Sequence, residues 1–274
     1  MDRGQGMKNS NPYIRERDFT VFGVVGLCAT TKIQLVEEIF EIPKDPCSAT
    51  VDLIGVPGII AAKENEDIAE MYNNATFAVI DGMPIVKKAV KMGIKCERCA
   101  APDIMAPIFL EGVKRGSTHY FYGGKNNEVL RNLKYNLEKD YQGIKIVGMY
   151  SPPFRDLSKE EDQEICDEIN RLKPDFVWVG IGAPRQEIWM MKHQTILKNT
   201  VMLGVGAGFD YISKSLKKAP AWVEKAGFEW LYRLVKEPHR LWKRYIVGGL
   251  KFLFYRISSI GTREKYITKV KGNV

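Results

Sequence analysis

One carboxylate in the sequence stands where parallel α/β sheets bind their ligands. Asp81 directly follows the apolar run Phe77–Ile80, which predicts a buried strand. Ligands of open α/β sheets bind outside the carboxyl ends of the strands, so a carboxylate there is well placed as a general base. Partial burial would raise its pKa and improve it as a base near neutral pH. The alternative is that Asp81 caps a helix or shapes a turn, as aspartate before glycine often does.

Glycines follow two other predicted strands, at Gly123-Gly124 and in the segment Gly180-Ile181-Gly182-Ala183-Pro184. A strand end without a Cβ lets a ligand's diphosphate approach backbone amides, and the next helix offers its positive N-terminal end. We therefore predict diphosphate contacts at Gly123, Gly124, Gly182, Ala183 and Pro184. The alternative is that these glycines only permit tight turns. No GxxxxGK[ST] occurs, and no GxGxxG follows the first predicted strand, so a dinucleotide cofactor is not indicated.

Four polar residues flank these strand ends. Gln186 and Glu187 open the helix after the second glycine segment, and we expect both to face the same pocket as Gly182. Arg98 is either an anion clamp or a surface charge. Asp103 either binds substrate or caps the helix that follows it.

The sequence indicates no metal site. No Asp-x-Asp occurs that would chelate a divalent ion on a diphosphate, and Cys96-x-x-Cys99 has no second pair. Arginines and backbone amides would then have to offset the charge of a leaving diphosphate. Five cysteines without an apolar signal segment favour a reducing cytoplasm.

Short apolar runs alternate with segments of helical spacing along most of the chain, which predicts an α/β fold with Rossmann-like parallel sheets and covering helices. We place this domain at residues 19–212, in two halves of about 19–116 and 117–212. The predicted strands are Phe19–Leu27, Ala49–Val56, Ala75–Ile80, Thr118–Tyr122, Ile144–Met149, Pro174–Ile181 and Thr200–Val205.

The two ends of the chain differ from this body. Residues 1–18 are polar, and we expect a disordered lead-in. Residues 213–274, the appendage, carry 15 Lys or Arg and 4 Asp or Glu, with many aromatic residues. Such a segment suits an anionic partner, either lipid or nucleic acid. Its apolar residues recur at helical spacing, which favours a helix at an anionic lipid interface over nucleic-acid binding. The alternative is packing on the body or between copies in a homo-oligomer.

Eight segments in this order resemble the bacterial WecG/TagA/CpsF glycosyltransferase family, and the resemblance runs from about Phe19 to Tyr245. The segments are Val79–Val86, Arg98–Asp103, Tyr122–Lys125, Val179–Trp189, Gly204–Asp210, Lys217–Pro220, Gly227–Arg233 and Glu237–Tyr245.

The resemblance implies an inverting, metal-independent enzyme without a cofactor, located in the cytoplasm at the inner face of the membrane. Such an enzyme transfers a hexose or N-acetylhexosamine, such as N-acetylmannosamine, from a UDP-sugar to an undecaprenyl-diphosphate-linked sugar in cell-surface polysaccharide or teichoic acid synthesis. By matching position, Asp81 resembles the family's base and Gln186 its active-site glutamine. The basic residues that match the family's membrane-docking appendage, which completes the active site over the donor diphosphate, are Arg233, Arg240, Lys243 and Arg244.

The chain departs from the family pattern after the second predicted strand. Where the family usually carries Thr-x-Asn, this chain reads Gly55-Val56-Pro57-Gly58, and Ala101 replaces a common glycine. Lost hydrogen-bond donors at a sugar pocket change selectivity, so we expect the choice of donor sugar to be affected. The departure also leaves open a non-catalytic scaffold derived from the family, beside the transferase and the nucleic-acid-binding alternative.

Overall fold

The structure of the 274-residue chain is a computed structural model that describes residues 13–43, 47–217, 219–220, 222–223, 227–260 and 265–270. The first twelve residues of the predicted lead-in therefore lie outside the described residues. The nine described strands are β1 (Phe19–Val21), β2 (Val25–Leu27), β3 (Ala49–Ile54), β4 (Phe77–Ile80), β5 (Thr118–Gly123), β6 (Lys145–Tyr150), β7 (Phe176–Gly180), β8 (Val201–Gly204) and β9 (Ile267–Lys269).

The helices of the body connect the strands of the central sheet. They are α1 (Lys32–Phe40), α2 (Val56–Glu64), α3 (Glu66–Asn74), α4 (Met83–Lys91), α5 (Ala101–Arg115), α6 (Asn127–Asp140), α7 (Lys159–Leu172), α8 (Arg185–His193) and α9 (Gly208–Ile212). Local sequence explains several boundaries. Ser158 and Glu161 form a capping box at the start of α7, and the side chain of Asn65 caps α3, which separates α3 from α2.

Six strands form one parallel sheet in the order β4-β3-β8-β7-β5-β6, which confirms the predicted α/β class. β8 pairs with both β3 and β7, so the two predicted halves share a single continuous sheet. Apolar side chains of α1, α5 and α6 cover one face of this sheet. Those of α2, α3, α4, α7 and α8 cover the other. All six carboxyl ends point the same way, where a ligand is expected to bind.

The segment predicted as the first parallel strand, Phe19–Leu27, is instead an antiparallel hairpin of β1 and β2. Phe22 and Gly23 have φ angles of 53° and 67°, which reverse the chain in the middle of the apolar run. β9 pairs with the free edge of β1 and completes a separate three-stranded sheet. The end of the appendage is therefore joined to the start of the domain.

The residues just before β1 belong to the folded body, so the prediction of disorder is wrong for residues 13–18. The Arg17 guanidinium donates to the carbonyl oxygens of Asn73 (3.1 Å) and Ala75 (2.6 Å). The Asp18 amide donates to the Leu27 carbonyl at 3.0 Å. These bonds satisfy carbonyl groups of the folded body, which a disordered segment would leave unpaired.

The appendage is helical over residues 229–258, in line with the prediction, but its described part ends in strand β9, which was not predicted. α10 (Glu229–Lys236) and α11 (Pro238–Trp242) lead through a π-helical turn, Lys243–Val247, into α12 (Gly248–Ser258). Phe252 of α12 is buried with Phe22 of the hairpin and Tyr266. Lys251 Nζ lies 2.7 Å from a carboxylate oxygen of Glu64. No helix in the described ranges has both the length and the apolar character needed to cross a membrane.

Candidate active site

A cavity of about 760 Å³ lies at the carboxyl ends of β3, β4, β7 and β8, between the sheet and the C-terminal helices α10 and α12. The loops that follow these four strands form its floor, and residues of the appendage form its opposite wall. Three carboxylates line it: Asp81, Glu187 and Glu229. Seven cationic side chains line it as well: Lys87, Lys88, Lys91, Arg98, Arg233, Arg244 and Arg256. The excess of positive charge suits an anionic ligand.

Asp81 lies in this cavity, directly after β4. Its amide donates to the Ile54 carbonyl (3.0 Å), which holds the strand end against β3. Gly82, and not Asp81, occupies the N-cap position of α4, so the carboxylate is not used as a helix cap. Its Oδ1 accepts from Nε and Nη2 of Arg98, each at 3.0 Å.

Desolvation by the cavity walls raises the pKa of Asp81 to about 6. The Arg98 guanidinium opposes that rise, and the nearby Glu229 carboxylate adds to it. The result is a carboxyl group that changes its charge close to neutral pH, which is what a general base requires.

Arg98 joins the body to the appendage. The same guanidinium that binds Asp81 also pairs with Glu229, at the start of α10. Its Nη1 lies 2.8 Å from Glu229 Oε2. Glu229 Oε1 accepts from the Tyr211 hydroxyl at 3.2 Å. Arg98 is thus engaged by two carboxylates and acts as a bridge. Sequence reasoning did not select Tyr211 or Glu229, because only the fold brings them to Asp81.

Gln186 and Glu187 begin α8 and are both buried, as expected for pocket residues. Gln186 Nε2 donates to Glu187 Oε1 at 2.9 Å, which leaves Gln186 Oε1 without a partner among the described residues. Behind Glu187, a void of about 10 Å³ separates it from the buried Asp52 of β3. Desolvation, together with repulsion from the Glu187 carboxylate, raises the pKa of Asp52 well above its usual range.

The loop after β8 was not among the predicted contacts, yet Gly204, Gly206 and Gly208 all line the cavity. A Cβ on Gly204 would lie 2.9 Å from Gln186 Nε2. One on Gly206 would lie 3.4 Å from Gln186 Oε1. These glycines therefore make room for the Gln186 amide. The signal that indicated Gly182, glycines directly after a strand, is present here too.

The second glycine segment reaches the cavity through Gly182 and Ala183. Gly182 has a φ of 86°, and a Cβ there would meet no atom within 4 Å, so its backbone faces open space. Pro184 holds the N-cap position of α8 and does not line the cavity.

Four other predicted binding residues, Gly123, Gly124, Asp103 and Lys243, are not brought into the cavity. A Cβ on Gly123 would lie 2.5 Å from the Gly180 carbonyl carbon, so Gly123 serves the close approach of β5 and β7. The Gly124 amide donates to the Gly180 carbonyl at 3.1 Å. Asp103 pairs with Lys32 (3.1 Å) on the outside of α5. Lys243 is exposed. The backbone of Arg240 lies in α11, and its side chain is outside the description.

The other predicted cations line the cavity from the appendage. Arg233 stacks over the Tyr211 ring, with its guanidinium carbon 6.0 Å from the ring centre, and its Nη2 lies 3.7 Å from Glu237. Its Nε has no hydrogen-bond partner among the described residues. Arg244 reaches the cavity from the π-helical turn.

The described residues contain one group of side chains that could hold a metal ion, Asp162, Cys166 and His193. His193 Nε2 lies 2.9 Å from Asp162 Oδ2, and its Nδ1 is 2.7 Å from the Trp189 carbonyl. The group lies between α7 and α8 and does not line the cavity.

The appendage exposes an apolar stripe on the side away from the body. On α12, Leu250, Leu253, Phe254 and Ile257 are 50 to 66% exposed, at the i, i+3, i+4, i+7 spacing of one helix face. Further exposed apolar side chains follow on the neighbouring turns: Trp230, Leu231, Val235, Trp242, Ile246 and Val247. An apolar surface of this extent marks a binding face.

Comparison with known proteins agrees with this geometry. A family model described as "Glycosyl transferase WecG/TagA/CpsF family" matches residues 19–265. The chain is similar to N-acetylglucosaminyldiphosphoundecaprenol N-acetyl-beta-D-mannosaminyltransferase of Staphylococcus aureus (strain MW2), with 29% identity over 245 residues, 88% of this chain and 92% of that protein. The protein of the same name from Bacillus subtilis (strain 168) is 26% identical over 199 residues, 72% of this chain and 75% of that protein.

Proposed function

Because the chain belongs to the WecG/TagA/CpsF glycosyltransferase family, we propose that it transfers a hexose or N-acetylhexosamine from a UDP-sugar to an undecaprenyl-diphosphate-linked sugar, in the synthesis of a cell-surface polysaccharide or teichoic acid. The names of the relatives support this acceptor class and an N-acetylmannosamine donor sugar. The observation that carries the proposal is the position of Asp81, a carboxylate with a raised pKa inside a cavity rich in cations.

In this mechanism, ionised Asp81 accepts the proton of an acceptor hydroxyl. The oxygen then attacks the anomeric carbon of the donor sugar as the bond from that carbon to the UDP oxygen breaks. UDP leaves with the bonding electron pair, and the direct displacement inverts the configuration at the anomeric carbon. Arg98 keeps Asp81 aimed into the cavity through its bonds to Oδ1 and to the Asp81 carbonyl.

The leaving diphosphate gains negative charge as that bond breaks. The glycine-lined strand ends at Gly182 and Gly206 leave room for it to approach the backbone. Arg233 and Arg244 of the appendage supply the compensating charge from the opposite wall. Since these side chains and amides are in place before reaction, this stabilisation requires no metal-ion ligands in the cavity.

Gln186 contributes by orienting the donor sugar. Because its Nε2 donates to Glu187, its buried Oε1 is an unpaired acceptor, and in this proposal it accepts a hydrogen bond from a hydroxyl or amide of the donor sugar. Glu187, buried at the end of the cavity, acts as a positioning residue for Gln186 in this scheme.

Gly55 and Pro57, where the chain departs from the family pattern, both line the cavity. A Cβ on Gly55 would lie 3.8 Å from Asp81 Oδ2. The departure therefore changes the part of the cavity wall beside the base, where the sugar would lie. We propose that it alters the choice of donor sugar. It leaves Asp81 and its bonds to Arg98 in place, which favours a catalyst over a non-catalytic scaffold.

We further propose that the enzyme acts as a peripheral protein on the inner face of the cell membrane. The apolar stripe of α12, together with the basic residues of the appendage, suits insertion at an anionic lipid interface. The same stripe argues against nucleic acid as the partner, because base and phosphate contacts do not need a continuous aliphatic face.

The test is UDP release with a panel of UDP-sugars and a short-chain prenyl-diphosphate-linked N-acetylglucosamine acceptor. We expect release that depends on both substrates, with an N-acetylhexosamine or hexose donor. Absence of release with every donor, despite UDP binding, would favour the scaffold. Retention of the chain on DNA but not on anionic vesicles would favour nucleic-acid binding.

A further inference from the structure

One face of α4 forms a row of cations along the cavity wall. Pro84, Lys87, Lys88 and Lys91 line the cavity at the i, i+3, i+4, i+7 spacing of a single helix face. The opposite face, with Ile85, Val86 and Ala89, is buried in the body. The three lysines are therefore held in a line by a packed helix.

Unlike Arg98 and Arg233 of the same cavity, the lysines of this row are uncompensated. Arg98 is neutralised by Asp81 and Glu229, and Arg233 lies near Glu237. Within the described ranges, none of the three lysine ammonium groups forms an ion pair. Their charge is available to a bound anion.

The position of the row relative to Asp81 indicates which anion the three lysines would bind. α4 starts two residues after Asp81, and a rise of about 1.5 Å per residue places Lys87, Lys88 and Lys91 about 6 to 12 Å along the helix from Met83. An acceptor that presents its hydroxyl to Asp81 carries its own diphosphate on the far side of one sugar ring. In an inverting displacement, the base and the attacking oxygen lie opposite the leaving group. The UDP diphosphate then belongs on the other side, beside Gly182, Gly206 and Arg244.

From this arrangement we infer that Lys87, Lys88 and Lys91 bind the diphosphate of the lipid-linked acceptor, a second anion site distinct from that of UDP. The inference rests on the proposed function and adds the acceptor's subsite to it. The three lysines of α4 and Gly249, Phe252 and Arg256 of α12 line the same cavity, so this site faces the helix that carries the exposed apolar stripe. The lipid chain of a bound acceptor would leave the row toward that stripe.

The test compares the triple variant K87Q/K88Q/K91Q with the wild type, in detergent and without vesicles, using the short-chain acceptor. Glutamine keeps most of each side chain's stem and removes its charge. We expect the KM for the acceptor to rise about tenfold, because the variant loses three partly exposed charge contacts with the acceptor diphosphate. The KM for the UDP-sugar and the affinity for UDP should stay within twofold. The variant K87R/K88R/K91R should keep the wild-type acceptor KM.

A matched control is K139Q/K159Q/K198Q, which removes the same charge from exposed lysines that do not line the cavity. An equal rise in acceptor KM in this control would overturn the inference, because net charge alone would explain it. So would an unchanged acceptor KM in the α4 variant, or a loss of UDP affinity in it. These results are separate from failure of the proposed function, in which the wild-type chain itself would release no UDP.

Discussion

Arg98 and Glu229 form an ion pair of 2.8 Å between the loop that precedes α5 and the first residue of α10. The same guanidinium binds Asp81, so the proposed base and the appendage are connected through one side chain. Any motion of α10 away from the body breaks a bond that also positions the base. The geometry at Asp81 therefore depends on the appendage being docked.

Replacing the base should remove turnover. For Asp81→Asn, which keeps the size of the side chain and loses the proton acceptor, we expect kcat to fall by about 10² to 10⁴-fold. UDP affinity, measured by calorimetry, should change little because the glycine loops and Arg244 are untouched. A rate within a few-fold of wild type would exclude Asp81 as the base.

The pH profile should show the ionisation of Asp81. Its pKa is raised to about 6, and only the carboxylate can accept a proton, so kcat/KM should fall as the pH drops below about 6 and level off above it. Glu229→Gln removes a charge that raises this pKa and frees Arg98 to lower it further. The acidic limb of that variant should then move to lower pH. A limb that stays in place would mean that another group controls the profile.

Gln186 should be sensitive to the glycine behind it. In Gly204→Ala the new methyl would lie 2.9 Å from Gln186 Nε2 and 3.0 Å from Met190 Cε, so both side chains must shift. We expect kcat to fall by about 10²-fold, with a much smaller change in the thermal midpoint. Gly248→Ala is the control, because a methyl there meets nothing within 4 Å. Similar losses of activity in both variants would contradict this role of Gly204.

The apolar stripe of α12 should control vesicle binding. Leu253→Glu combined with Phe254→Glu places two charges on its exposed face, and binding to anionic vesicles in flotation should weaken at least about tenfold. Phe154→Glu is the control, since Phe154 is 83% exposed in a loop of the body. Turnover with a detergent-soluble acceptor should survive in both. Equal vesicle binding by the double variant and wild type would show that the membrane contact lies elsewhere.

Local signals gave the parts of the site that lie next to a strand. Asp81 and Gly182 were predicted because each follows an apolar run directly, and the parallel sheet brings such positions to one edge. Gln186 was predicted because it opens the helix after the second glycine segment. The same signal at Gly123 and Gly124 serves strand packing instead, since spacing alone does not distinguish a ligand from a neighbouring backbone. Glu229 and Tyr211 were missed because their contacts exist only after the appendage folds back.

The small sheet was unpredictable for a related reason. Hydrophobic periodicity does not report strand direction, so the reversal at Phe22 and Gly23 looked like a continuous strand. The strand that completes this sheet, β9, lies at the other end of the sequence. It has only three residues, too few to show a periodic hydrophobic pattern.

The pairing of Phe19 with Lys269 has a consequence for biosynthesis. β1 emerges from the ribosome among the first residues of the domain and β9 among the last, so the hairpin must wait for nearly the entire chain before its outer edge is covered. A nascent chain that has already formed the parallel sheet would still present the bare edge of β1, a site for mispairing between neighbouring chains. Emergence of β9, and not completion of the central sheet, is thus the step that covers this edge.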